Sequence, residues 1–155
     1  MSKSIKYAPR ETFEQILEWS VIPTFDLVVE VKPGHVVIVR RKIEPYADTW
    51  ALPGLRMFKP EGIEDTLERI ARDELGLDIN AKERRFLGQF VGRFKTEHQR
   101  QDLSTGYLVR AQSGQLQPNA GHFTSHRVIS SPGEIPAKTG AMYKFYLAQY
   151  FSLPT

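Results

Sequence analysis

The stretch WALPGLRMFKPEGIEDTLERIARDELGL, residues 50–77, decides the fold, because it leads from a short strand through a Pro-Gly loop into a helix. From Glu61 onward Ile63, Leu67, Ile70, Ala71 and Leu75 recur at helical spacing, which predicts an amphipathic helix ended by Gly76. At roughly 100° per residue, with Ile63 as zero, Ile70 falls near −20°, Leu67 near 40° and Glu74 near 20°. Glu74 therefore sits inside the apolar stripe. An unpaired buried carboxylate costs several kcal/mol, so it needs a cation, a set of hydrogen bonds or a raised pKa. A metal ion held against the preceding loop meets that need. So does an arginine beside it, or a frayed helix end that turns Glu74 outward.

Working outward, 155 residues fit one domain spanning 1–155, and 41% hydrophobic with 25% charged residues is a globular composition. The net charge is only +3 with scattered basic residues, so the pI of about 9.2 does not by itself argue for nucleic acid. The absence of cysteine excludes disulfides, thiolate nucleophiles and Cys-ligated zinc, and fits a reducing compartment. The N-terminus, MSKSIKYAPRETF, has no apolar core of a signal peptide, and no window approaches the roughly 18 to 20 apolar residues of a membrane span. A cytoplasmic protein with no membrane partner is the expectation.

Before the central stretch, residues 1–10 read as a loose arm, and PRETFEQILEWS reads as a short helix started near Pro9, with Phe13, Ile16 and Leu17 on one face. That face needs either the sheet or a second subunit. TFDLVVEV (24–31) and VVIVR (36–40), joined by Lys32-Pro33-Gly34, predict a hairpin. Asp26 interrupts the first strand and is either an inward functional group or a solvated one. Arg41 follows at the end of the second strand, where a guanidinium fork suits phosphate oxygens. Residues 42–49, with Pro45, form a loop, and Trp50-Ala51-Leu52 a short strand; Gly54 in the loop after it lets the backbone approach a metal or phosphate.

After the helix, residues 78–85 read as a polar connection, 86–94 as a glycine-weakened strand and 103–111 as another strand. The polar excursion between these strands, carrying His98, is either a lid or a solvent-exposed turn. SGQLQPNAGHF (113–123) is a loop with His122 at its end, before a strand at 125–129. Residues 137–151, with Met142, Phe145, Tyr146, Gln149 and Tyr150 at helical spacing, predict a final amphipathic helix packed on the sheet, with no chemistry assigned to it.

The central stretch resembles the Nudix signature: a glycine-bearing loop, Glu61, Arg69, a closing acidic pair ending at Glu74, then Gly76 and Leu77. Leu55, Ile70 and Asp73 depart from the usual Gly, Glu and Glu of that pattern. The branch typified by GDP-mannose mannosyl hydrolase has lost the same Glu after the Arg, and the chain resembles that branch without a gap over residues 50–107, and more loosely through TFDLVVE (24–30) and RRFLGQF (84–90). The resemblance implies an α+β fold, a Nudix-type α/β/α sandwich with a mixed central sheet, and a homodimer formed partly by the first helix.

For the site, the resemblance implies Mg²⁺ on the Gly54 carbonyl and Glu74, Phe13 near the base and Tyr107 beside the substrate. It implies Arg41 and Arg56 on the diphosphate, Asp26 steadying positive charge at the reacting carbon, and His122 as general base. The residue before that base is normally a Gln metal ligand and is Gly121 here. The expected reaction is hydrolysis of GDP-mannose to GDP and free sugar at the anomeric carbon. A histidine of ordinary pKa, about 6.5, serves as base only when neutral, so activity should rise into the alkaline range. Two alternatives remain: a pyrophosphatase attacking phosphorus of a nucleoside diphosphate derivative, and a nucleotide-sugar-binding protein whose chemistry has decayed.

Overall fold

A computed structural model describes residues 4–44 and 46–154, so Pro45 of the expected loop and the first three residues of the expected arm lie outside it. Its elements run α1 (Arg10–Trp19), β1 (Ile22–Lys32), β2 (His35–Arg41), β3 (Trp50–Ala51), β4 (Gly54–Arg56), α2 (Ile63–Leu75), β5 (Leu77–Ile79), β6 (Arg85–Arg93), β7 (Gln101–Gly114), β8 (Phe123–Ile129) and α3 (Ala141–Phe151). The eight strands make one mixed sheet in the order β3-β2-β1-β7-β5, with β4 on β1, β6 on β7 and β8 on β2. β1 runs parallel to β7, and the other pairings are antiparallel.

Alternation along β1 assigns the two faces. Phe25, Leu27 and Val29 pack with Leu67, Ile70, Ala71 and Leu75 of α2, while Val28 joins Tyr146, Leu147 and Tyr150 of α3. The result is the expected α/β/α sandwich. β1 and β2 pair only near their turn, at Glu30–Val36 and Lys32–His35, and β4 takes over as β1's partner from Thr24 to Asp26. This splay of the hairpin, the strand switch from β2 to β4, brings the central stretch beside Asp26.

α2 starts two residues later than expected, with the Asp65 carboxylate accepting from the Gly62 N–H at 2.8 Å, and it ends where expected, at Gly76 with φ 72°. Four expectations need correction. Residues 54–56 are a strand, not loop, and 77–79 are a strand that takes up the start of the expected polar connection at 78–85. The last helix starts at Ala141, because the preceding segment bonds to Trp50 through Lys138 O and Gly140 N. The described part of the N-terminal arm is tethered, with Lys6 N–H donating to Lys59 O and Tyr7 against Phe58. α1 buries none of its residues. No helix among the described residues is long and apolar enough to cross a membrane.

Candidate active site

α2 takes part in two carboxylate arrangements, one with Glu61 just before it and one with its own Glu74. Arg69 donates to Glu61 through Nε (2.7 Å) and Nη2 (2.9 Å), and to the Arg56 carbonyl (2.8 Å). Glu61 also accepts from Thr66 Oγ1 and Phe58 N–H. Burial alone would raise the Glu61 pKa, but these bonds, Arg69 foremost, hold it below the usual range. This pair clamps β4 to the helix and has no acceptor capacity to spare.

Glu74, 1% exposed, is the stripe-breaking carboxylate, and it meets a histidine rather than an arginine or solvent. His122 Nδ1 lies 2.9 and 3.1 Å from its two oxygens. Burial raises the Glu74 pKa against the opposing pull of His122. His122 reaches this place because its loop completes the end of α2. A helix leaves its last carbonyls unsatisfied, and here Gln117 N–H donates to Leu75 O and Asn119 N–H to Glu74 O. The loop is closed again by Lys42 N–H donating to His122 O. Gly121 is exposed, bonded through its N–H to Asn119 Oδ1, and has no side chain to offer.

Asp26 lies between two glycines, Gly54 across in β4 and Gly106 across in β7. A Cβ at Gly54 would come within 2.1 Å of Asp26 Oδ1, so the carboxylate occupies the space a side chain there would need. Its Oδ2 accepts from Ser104 Oγ at 2.5 Å. Burial raises its pKa to about 7, against the Ser104 bond and the nearby positive charge of Arg41. Arg41 also acts electrostatically on Glu74 and on Tyr143 of α3. Arg41 thus stands between two groups, Asp26 with Gly54 and Glu74 with His122, and acts on both carboxylates.

Phe13, Arg56 and Phe58 form a further group. The Arg56 guanidinium lies 4.4 Å from the Phe13 ring and 4.5 Å from Phe58, in a groove of about 660 Å³ also lined by Tyr7, Leu17 and His98. Arg100 and Arg69 add positive charge beside it. Within the expected lid, His98 Nδ1 is 3.1 Å from Glu18 Oε2, so this excursion packs on α1. Tyr107 is not brought into any of these groups. It stacks on Phe25 and lies under Arg84 on the α2 face of the sheet, opposite the face toward which Asp26 points.

The resemblance implies Mg²⁺, and the donors present limit what fits. Ile70 is apolar, Glu61 is consumed by Arg69, and Asp73 is exposed near Arg72. Among the described residues no three His, Asp or Glu side chains gather into a metal-binding group. A centre of several ions does not fit. A single Mg²⁺ does, since it takes one or two carboxylates and fills its shell with water and phosphate, and Glu74 retains lone pairs beyond those facing Nδ1.

Sequence reasoning missed Ser104 and Tyr146, which stand behind Asp26. Gly106, inside the strand LSTGYLVRA, was the available signal, because a strand-interior glycine marks a close approach. A Cβ there would lie 2.4 Å from the Tyr146 ring.

The family model described as the NUDIX domain matches residues 22–149. The chain belongs to the Nudix family. Among curated proteins it is similar to the low-salt glycan biosynthesis protein Agl8 of Haloferax volcanii, 33% identical over 103 residues, 66% of this chain. The match spans 64% of that relative's length. Among solved structures, the MutT NUDIX hydrolase of Burkholderia pseudomallei superposes with a TM-score of 0.73 at 19% identity, covering 84% of this chain and 98% of that one. The NUDIX domain of Shewanella oneidensis NrtR, crystallised with ADP ribose, gives 0.67 at 14% identity, covering 92% and 91%. At these identities the structural likeness concerns the Nudix fold.

Proposed function

We propose that this chain is a Mg²⁺-dependent GDP-mannose hydrolase, releasing GDP and free sugar by attack of water at the anomeric carbon. The observation that carries the reading is the bond from His122 Nδ1 to buried Glu74. A carboxylate at Nδ1 holds the proton on that nitrogen and leaves Nε2 as the base, the same division of labour by which an Asp orients a catalytic His. Arg41 binds the diphosphate, and Asp26 faces the carbon where positive charge grows. Arg56, between Phe13 and Phe58, supplies the second cation and places the base groove next to it. Glu74 and the Gly54 carbonyl would hold Mg²⁺, whose charge would stabilise the departing GDP. The similarity to a glycan biosynthesis protein supports a sugar-linked substrate.

The carboxylate missing at Ile70 favours attack at carbon over a pyrophosphatase, which needs more metal around phosphorus. The decayed binding protein is favoured by Gly121, which supplies no ligand. Cytoplasmic localisation and a homodimer through α1 belong to the same reading; the exposed Trp19 on a helix with no buried residue supports the dimer. Phosphorus NMR of GDP-mannose incubated with the protein and Mg²⁺ tests the function. GDP with free mannose is expected, GMP with mannose 1-phosphate would establish the pyrophosphatase, and unchanged substrate would leave the binding protein.

A further inference from the structure

α3 has so far only covered the sheet, yet Tyr146 on it reaches, through one serine, the buried carboxylate of the site on β1. Tyr146 is fully buried, and its OH lies 2.9 Å from Ser104 Oγ, which is itself buried and donates to Asp26 Oδ2 at 2.5 Å. With Asp26 ionised the serine proton is committed to the carboxylate, and the phenol donates to the serine. Burial pushes the Tyr146 pKa up to about 12, which keeps that proton in place. The arrangement exists because Gly106 vacates the space into which the Tyr146 ring fits.

We propose that α3 is a working wall of the active site: Tyr146, acting through Ser104, fixes the rotamer of Asp26 so that Oδ1 lies over Gly54. Both are positioning residues, and their assignment rests on the function proposed above. A chain of two hydrogen bonds behind a buried carboxylate sets its direction, which matters because a misplaced charge stabilises a transition state poorly.

The test is steady-state hydrolysis of GDP-mannose by Tyr146→Phe, Ser104→Ala and their double variant, with Tyr150→Phe at the far end of α3 as the structural control. Tyr146→Phe and Ser104→Ala should each lower kcat about 10-fold with KM unchanged, and the double variant should be no worse than Ser104→Ala. Kinetic losses that follow only the fall in melting temperature, as set by Tyr150→Phe, would overturn the proposal while leaving the function standing. If the wild-type chain binds GDP-mannose without turnover, the function fails and calorimetry decides the positioning. Tyr146→Phe should then weaken GDP-mannose but not GDP. Equal affinities across the variants, or no binding of either ligand, would overturn it.

Discussion

Asp26 and Glu30 stand four residues apart on β1, both are buried, and a tyrosine of α3 reaches each, Tyr150 directly and Tyr146 through Ser104, yet their surroundings differ in kind. Glu30 is closed: Tyr150 OH donates at 2.5 Å, Arg110 Nε at 3.0 Å and Gly34 N–H at 3.4 Å. Asp26 has a serine between itself and its tyrosine, bare glycines on the strands to either side, and Arg41 acting at longer range. A carboxylate whose acceptor sites are filled by fixed donors fastens a fold. One that keeps an oxygen over a glycine and a pKa raised to about 7 has been left available for something else. The same contrast recurs around α2 between Glu61, just before it and bonded by Arg69, and Glu74, held by a histidine.

The sharpest way to break the comparison is Glu74→Gln. It should cut metal-dependent turnover by ~100-fold or more, the scale of losing one preorganised charged group from an active site, and an unaffected rate would remove Glu74 from the site. Next in size is Glu30→Ala, which leaves the Tyr150 hydroxyl and the Gly34 N–H without their partner. Denaturant unfolding should show a loss of roughly 2–3 kcal/mol with kcat within a factor of about two of wild type. A kinetic defect larger than this would mean that both ends of β1 serve the reaction.

The smallest effect is on pH. The Asp26 pKa is raised in the folded chain from 3.8 to about 7. The folded state therefore holds this proton more tightly than the unfolded one, and the stability so gained is present at acid pH and lost as pH rises through about 4 to 7. Asp26→Asn, with the same shape and no ionisation, should remove on the order of 1–2 kcal/mol of that decline, so that it unfolds later than wild type at pH 8 while turning over more slowly. Parallel unfolding curves for the two proteins between pH 4 and 8 would contradict the buried, proton-holding state of Asp26.

Much of this architecture was legible in the residues. The period of Ile63, Leu67, Ile70 and Leu75 gave α2 and its end, and the same period exposed Glu74 as misplaced. It did not say what Glu74 meets, because that depends on a loop returning from 48 residues further along the chain to finish the helix terminus. The short strands β4 and β5 were missed since two or three paired residues carry no periodicity of their own; tertiary pairing makes them. Arg41, Asp26 and Gly54 were singled out and do converge. Arg56 and Phe13 converge elsewhere, and Tyr107 lies on the other face of the sheet. The part played by α3 was invisible, because a helix with apolar and aromatic residues all around it shows no face that marks two hydroxyls as special.

The most direct test of the central claim, that the Asp26 end of β1 serves attack at carbon, is hydrolysis of GDP-mannose in oxygen-18 water followed by mass spectrometry of both products. The account predicts one heavy oxygen in the mannose and none in the GDP. Label in a phosphate would place the attack at phosphorus and contradict it.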